Sequence, residues 1–423
     1  MILSVRVNNY HVYSNDAELS LIADMRIKKF NCNVYKQSKF NVLKSACIYG
    51  ANNSGKTCFI MAIDSIKNVL LGLVADVTPN LFTDSKVCSF GVSFFYGEKV
   101  YSYDFKYDST VVNNIKNGFV YECLKELSID KSGNLVEKEI FVRDTVNEVY
   151  RFAGDDELSK VLGLVSSNNI LIYTINPVKY PKIEEYRKVL REFASNIEVL
   201  DMNNIPITKT IEVLKNNEDI KDRTVELIKL ADLDIEDYKY VKNEQASDIY
   251  GNPKTPQEVA LATSVQVDDM FRLTSVHKGK PLLSLQFDST GTKKIVAAAS
   301  YIIDALDKGK TLVIDEFDSS LHFKLTRALV SLFNNDLNKN AQLIFTAHDV
   351  TLLDCKKLFR KDQIWFADKD EDGAYLYSLA DFTSLDDHIR SDTDMMEKYS
   401  QGKFGALPEP DLIAVLLNPD KGE

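Results

Sequence analysis

The chain has 423 residues, of which 45% are hydrophobic and 27% charged, with a formal net charge of −11. Its length accommodates one large domain or two to three units of about 100–200 residues each. The acidic balance, with a pI near 5.2, argues against a surface coated in nucleic acid and leaves only a local basic groove open.

Residues 2–7 alternate apolar and polar (Ile2, Val5, Val7), as a half-buried strand does. Ala46 to Tyr49 form a short apolar strand that runs into glycine. An amphipathic helix follows, with Phe59, Ile60, Ile63, Ile66, Val69 and Leu70 near helical spacing. From Ser89 to Phe152 the pattern changes to an antiparallel meander. One hairpin is predicted around Gly97-Glu98 and another at Asp130 to Gly133. Residues 183–197 return to helix, with Ile183, Tyr186, Leu190, Phe193 and Ile197 on one face, and residues 207–232 read as helix too. The stretch 247–257 reads as a linker, and Val259 to Phe287 as strand-like. Helix, strand, helix and strand then alternate from Thr292 to Phe366. Six scattered cysteines form no CxxC pair and five histidines are dispersed, so neither a zinc site nor a disulfide framework is predicted. No basic segment leads into an apolar run at the start. The most apolar helical stretch, Ile60 to Val74, carries Asp64 and Lys67 and is too short to span a bilayer. A cytoplasmic protein without a membrane partner is the expectation.

The strongest chemical signal is GANNSGKT, Gly50 to Thr57, which matches G-x-x-x-x-G-K-[ST] between a strand and a helix. Gly50 and Gly55 let the backbone wrap a phosphate without Cβ clashes. The N–H groups of this loop, through Asn52, Asn53 and Ser54, and the helix N-terminus meet the negative charge. Lys56 supplies a mobile cation to the terminal phosphates of ATP, and Thr57 offers a hydroxyl to Mg²⁺. The second signal is TLVIDEFD, 311–318, an apolar strand ending in Asp315-Glu316. Alone, two acids at a strand end are more often solvated. Paired with the glycine loop they predict a Walker B motif, with Asp315 holding Mg²⁺ directly or through water and Glu316 polarising the attacking water. Lys56 and Asp315 lie 259 positions apart (315 − 56). A compact nucleotide core does not need that interval, so an insertion must hold the meander and the helical segment.

At this point the sequence resembles the ABC-type ATPase heads of the repair and chromosome-maintenance group. DSTGTKK (288–294) precedes a helix where that family carries its signature, and Ser289-Thr290-Gly291-Thr292 resembles the SxGT variant of the overcoming-lysogenization-defect ATPases. Read without that resemblance, the stretch is an N-capped helix. SSLH (319–322) resembles the D-loop, and FTAHD (345–349) places His348 where the family has its switch histidine. Together with KDQIWFADKD and KYSQGKFGALP, these stretches look like the AAA-15-type ATP-binding proteins common in bacterial phage-defence loci of the abortive-infection type. The resemblance covers the N-terminal strand, the P-loop and roughly residues 282–410. It implies an α/β P-loop NTPase fold of the ABC ATPase type with an antiparallel β meander and a helical insertion. It divides the chain into an N-terminal part of the ATPase head (1–154), a mainly helical insertion (155–255), a C-terminal part of the head (256–390) and a tail (391–423). Catalytic roles fall on Glu316 and His348. Ser289, Gly291 and Thr292 meet the γ-phosphate held by the opposite subunit, so a homodimer or higher homo-oligomer is implied. No Q-loop glutamine stands out; Gln286 lies near the signature. VNNY (Val7 to Tyr10) resembles an element near the nucleotide. Lys293-Lys294 and CKKLFRK (355–361) read as solvated helix faces.

Two functions compete. One is a sensor or scaffold ATPase in phage defence, triggered by DNA or a phage protein. It would act through a separate effector, a Toprim-like or other nuclease, because the ATPase pattern runs to about residue 390 and leaves too little chain for another catalytic domain of usual size. The other is a RecF-like repair ATPase that clamps DNA, which the acidic balance weakens. The signature, D-loop and switch histidine argue against an AAA+ motor, and the motif interval against a transporter subunit.

Overall fold

The computed structural model describes residues 1–37, 40–112, 115–130, 134–216, 219–231, 234–241, 269–382 and 393–407. In chain order the strands are β1 (Ile2–Asn8), β2 (Ala17–Ser20), β3 (Val34–Lys36), β4 (Asn41–Leu43), β5 (Ser45–Tyr49), β6 (Val87–Tyr96), β7 (Lys99–Val112), β8 (Ile115–Ile129), β9 (Leu135–Asp144) and β10 (Val149–Phe152). There follow β11 (Ile197–Asp201), β12 (Asp237–Tyr240), β13 (Leu273–His277), β14 (Lys280–Leu283), β15 (Thr311–Asp315), β16 (Gln342–Thr346), β17 (Ile364–Asp370) and β18 (Gly373–Ser378).

Strands β5, β15 and β16 are short apolar runs buried at every residue. That is the pattern of parallel strands covered on both faces. They lie in a six-stranded central sheet of order β11-β15-β16-β5-β17-β18, parallel except for the last pair. A second sheet, β10-β9-β8-β7-β6-β1-β2, is antiparallel throughout. The meander read from Ser89 to Phe152 is therefore present. Its first hairpin turns at Gly97-Glu98, where Tyr96 pairs with Lys99 and Gly97 has φ +60°. The second turn, at 131–133, lies outside the described residues.

The helix Lys56–Leu71 packs between the two sheets, against β6 on one side and β15 on the other. Its buried face, with Phe59, Ile63 and Ile66, joins a core shared with the antiparallel sheet and the helix Pro181–Ser195. Phe94 and Phe193 stack there with ring centroids 3.8 Å apart. A second core lies on the other face of the central sheet. There Cys47, Tyr49, Ile314 and Phe345 meet the helices Thr290–Lys308 and Phe323–Phe333. The side chains of β5 alternate between the cores, Ala46 and Ile48 to the first and Cys47 and Tyr49 to the second, as strand geometry requires.

The segment 155–255 contributes more than helices. Its strand β11 pairs in parallel with β15, in register from Ile197–Thr311 to Asp201–Asp315. Periodicity places residue 197 at the end of a helix, and it instead opens this strand. Five residues beside a strongly amphipathic helix are too few for periodicity to resolve. The stretch 207–232 divides into two helices, Thr208–Asn216 and Lys221–Leu230. The linker read at 247–257 lies outside the described residues, as does 259–268 of the strand-like stretch; the rest of that stretch forms β13, β14 and one helical turn, Ser284–Phe287. Of the tail, Tyr399 and Phe404 stack on Phe366 of the central sheet at 5.6 and 5.7 Å. No helix among the described residues is long and apolar enough to cross a membrane.

Candidate functional site

Loops at the C-terminal edge of the central sheet, the edge where parallel α/β sheets carry their sites, build the site. They follow β11, β15, β16 and β5. The loop after β5 is the glycine-rich one. A Cβ at Gly50 would collide with the Ala367 carbonyl oxygen and with Ser54 Oγ. At Gly55, φ is +106° and a Cβ would stand 3.1 Å from Tyr13 Oη and Val12. Close approach thus requires glycine at 50, and the positive φ favours it at 55. Tyr13 donates to the Gly55 carbonyl at 3.1 Å, so the turn just after VNNY supports the loop from outside. Asn9 itself bonds the Ser85 and Val87 carbonyls.

Lys56 is buried, and its ammonium donates to the Gly50 and Ala51 carbonyls at 2.8 Å each. Burial pulls its pKa below the usual lysine value, and the neighbouring Asp315, Glu316 and Asp318 oppose that shift. Thr57 Oγ1 donates to Asp315 Oδ2 at 2.7 Å, joining the two motifs that the sequence separates by 258 positions. Thr346, at the end of β16, sets the other carboxylate oxygen. Its hydroxyl donates to Asp315 Oδ1 at 2.5 Å and accepts the Glu316 N–H at 2.8 Å. Glu316 has φ +52°, a conformation that non-glycine residues hold only where their surroundings impose it. Asp318 Oδ2 accepts the N–H groups of His348 and Asp349 at 2.8 and 2.5 Å, which fixes the turn that presents His348.

A cleft of about 280 Å³ is lined by Val12, residues 52–58, Glu316 and His348. The structure thus brings the glycine loop, the second acid and the histidine of FTAHD together. Ser289, Gly291 and Thr292 do not line it. Ser289 caps the helix Thr290–Lys308, accepting the Thr292 N–H at 3.1 Å, and its side chain is exposed. Gly291 lies against the SSLH turn, where a Cβ would approach the Ser320 carbonyl oxygen to 2.7 Å. Gln286 is exposed on its single helical turn and is absent from the cleft.

The two basic runs expected as solvated faces are partly buried. Lys294 is buried and donates to Asn203 Oδ1 at 2.7 Å and Ser319 Oγ at 3.0 Å. Arg360 is buried against Asp362 and the carbonyls of Asp24, Ile27 and Lys29. Spacing alone could not separate these residues from their exposed neighbours. Thr346, Asp318 and Asn203 were not singled out from sequence. The first two sit inside quoted motifs; Asn203 carries no local signal.

The residues fit a nucleotide triphosphate and Mg²⁺. Ser54 Oγ is buried inside the loop, against Gly50, without a hydrogen-bond partner among the described residues. The Thr57 hydroxyl and Asp315 carboxylate supply adjacent hard oxygens, the donor type Mg²⁺ takes.

Fold and site together define a P-loop ATPase, α/β in class, with an antiparallel meander. The model of the family described as "AAA domain, putative AbiEii toxin, Type IV TA system" matches residues 45–354, and the chain belongs to that family. A search of curated proteins finds no match. Among solved structures, the chain is similar to the SMC head domain from Thermotoga maritima at 10% identity, covering 89% of this chain and 98% of that one, TM-score 0.42. It is also similar to the SmcHead bound to the C-winged helix domain of ScpA (13%, 89% and 97%, 0.41). A third is the Smc head domain with an extended coiled coil bound to the C-terminal domain of ScpA, derived from Pyrococcus furiosus (13%, 89% and 96%, 0.38).

Proposed function

We propose that the chain binds and hydrolyses ATP between two copies of itself and uses that cycle as a sensor or scaffold in anti-phage defence, controlling a separate effector nuclease. The observation that carries the ATPase reading is the convergence of Lys56, Thr57, Asp315, Glu316 and His348 at one sheet edge. Lys56 would leave the Gly50 and Ala51 carbonyls for the terminal phosphates. Thr57 and Asp315 would hold Mg²⁺, which when bound neutralises charge on the β- and γ-phosphates. Glu316 would orient and polarise the attacking water, and His348 would meet the γ-phosphate from the same cleft. Ser289, Gly291 and Thr292 stand apart from this cleft and would complete the site of a partner copy, with the Thr290–Lys308 helix N-terminus facing the phosphate. What points to a defence setting is the wording of the family's description, "putative AbiEii toxin, Type IV TA system".

The test is a plaque assay in cells carrying this gene with and without its neighbouring gene, alongside nuclease assays of the purified chain. Protection that needs both genes and Glu316, with no cleavage by the chain alone, is expected. Metal-dependent cleavage by the purified chain, lost on a point mutation within it, would overturn the separate effector. DNA-stimulated ATPase activity that falls steeply with salt would favour the RecF-like reading instead.

A further inference from the structure

The loop after β11 carries a side chain that touches both the Walker B glutamate and the signature helix. Met202 continues the β11–β15 ladder, its N–H donating to the Asp315 carbonyl at 3.0 Å. The next residue, Asn203, therefore falls beside Glu316. Asp201 locks the turn: its carboxylate accepts the Asn203 N–H at 2.9 Å and the Asn204 side-chain amide at 2.6 Å. The Asn203 side chain is thus placed by the sheet and by its own turn.

Its two ends have different partners, and those partners fix which end is which. Lys294 can only donate, so the atom it meets at 2.7 Å is the oxygen Oδ1, which also accepts from Ser319 Oγ at 2.7 Å. The Glu316 carboxylate can only accept while ionised, so the atom that meets its Oε2 is Nδ2, the donor. Lys294 lies three residues beyond Gly291 on the signature helix, and it also reaches Ser320 Oγ at 3.3 Å. Signature helix, SSLH turn and Glu316 are joined through one carboxamide.

We propose that Asn203 is a positioning residue for Glu316, and that through Lys294 it makes the placement of that carboxylate depend on the position of the chain's own signature helix. The inference rests on the reading of Glu316 as the water-polarising group. A carboxamide suits the task because it donates to one charged group and accepts from another of opposite sign without adding charge. The signature helix is the element proposed to meet a partner copy's nucleotide. Its engagement there would move Lys294, hence Asn203, hence the carboxylate in its own cleft. This links two sites that share no residue.

Three substitutions separate the roles. Asn203→Asp keeps the acceptor for Lys294 and Ser319 and replaces the donor to Glu316 with a second carboxylate. Asn203→Leu removes both ends. Lys294→Met keeps the buried stem and removes the ammonium. Asn203 is exposed, and Asn203→Asp keeps the acceptor that the buried Lys294 meets, so that variant is expected to fold. With wild type, Asn203→Asp and Asn203→Leu are expected to lose roughly ten- to a hundred-fold in kcat, less than the roughly 10²–10⁴-fold of removing a general base, with KM for ATP unchanged. Lys294→Met is expected to lower kcat less, and to add nothing in an Asn203→Leu background. In nucleotide-free protein, hydrogen exchange over residues 316–320 should quicken in both Asn203→Leu and Lys294→Met. Wild-type kcat in Asn203→Asp would overturn the positioning role, because a merely structural acceptor survives in that variant. Additive losses from Asn203→Leu and Lys294→Met would overturn the coupling. A Glu316→Gln variant run in parallel distinguishes the two failures. If it hydrolyses ATP normally, the reading of Glu316 is wrong; if it is dead while Asn203→Asp is normal, the positioning inference alone fails.

Discussion

The two halves of the site are built differently. On the P-loop side, the groups proposed to hold and attack a terminal phosphate converge within one chain: Lys56, Thr57, Asp315, Glu316 and His348 share a cleft or a hydrogen bond. On the signature side, Ser289 caps its helix and is exposed, and among the described residues its side chain bonds only Thr292. The first half gathers its proposed binding groups in one cleft; the other is anchored, with Lys294 buried beneath it, yet does not line that cleft. A rigid, preformed group without a ligand of its own is what a composite site between copies requires.

The sharpest way to break this comparison is to disable each half separately. Glu316→Gln is expected to cut ATP turnover by roughly 10²–10⁴-fold while binding persists, read by phosphate release beside nucleotide titration. Normal turnover would mean that the P-loop half does not hold its own catalytic carboxylate. Arg143→Met serves as a control in the antiparallel sheet, distant in role from both halves. Arg143 and Glu122 are both fully buried and paired, and Tyr103 and the Leu171 N–H also donate to Glu122, at 2.6 and 2.9 Å. Burial pushes the Glu122 carboxyl above its ordinary value and Arg143 holds it back. Removing the arginine strands that carboxyl, so a loss of about 3–5 kcal/mol is expected in chemical denaturation, with turnover per folded molecule unchanged. Lys56→Ala removes the mobile cation and is expected to weaken ATP binding by roughly 10- to 150-fold, measured by titration.

The smallest effect belongs to the signature half. Asp304, on the helix Thr290–Lys308, is ringed by Lys209, Lys308 and Lys310 at 2.6–2.7 Å. Burial alone would raise its carboxyl, and the hydrogen bonds from the three lysines outweigh burial and hold it well below the carboxylate range. A group depressed in the folded state adds stability above its unfolded value, near about 3.9, and that stability fades as pH falls below it. Asp304→Asn is therefore expected to cost about 1–3 kcal/mol at neutral pH, with the difference from wild type shrinking below about pH 4 in thermal or urea melts. An equal loss at pH 3 and pH 7 would show that the lysines do not set this carboxylate.

What was legible in sequence divides along the same line. The glycine loop and the Asp315-Glu316 pair were readable because each is a contiguous pattern whose chemistry dictates its spacing. The antiparallel meander was readable because its strands alternate and its first turn carries Gly97. The order of the central sheet was not, because parallel pairing joins distant segments: β5 lies beside β16, 297 positions on by the Ser45 and Gln342 starts (342 − 45). Asn203 was invisible for that reason. It stands 113 positions from Glu316 and reaches it only because the five residues of β11 pair with β15. Lys294 looked like half of a solvated pair, since a sequence shows the charge but not the Asn203 and Ser319 acceptors waiting for it.

Complementation between two dead variants tests the composite site most directly. Gly291→Asp places bulk and negative charge at the signature, beside the Ser320 carbonyl, and leaves its own P-loop intact. Lys56→Ala does the reverse. Mixed under conditions where subunits demonstrably exchange, each heterodimer regains one whole site, with the P-loop from one copy and the signature from the other. Partial recovery of ATP hydrolysis in the mixture, absent from either variant alone, is the predicted result. A mixture that stays dead despite exchange, or a dilute monomer that hydrolyses ATP at the full rate, would contradict it and leave residues 288–294 as a capped helix and nothing more.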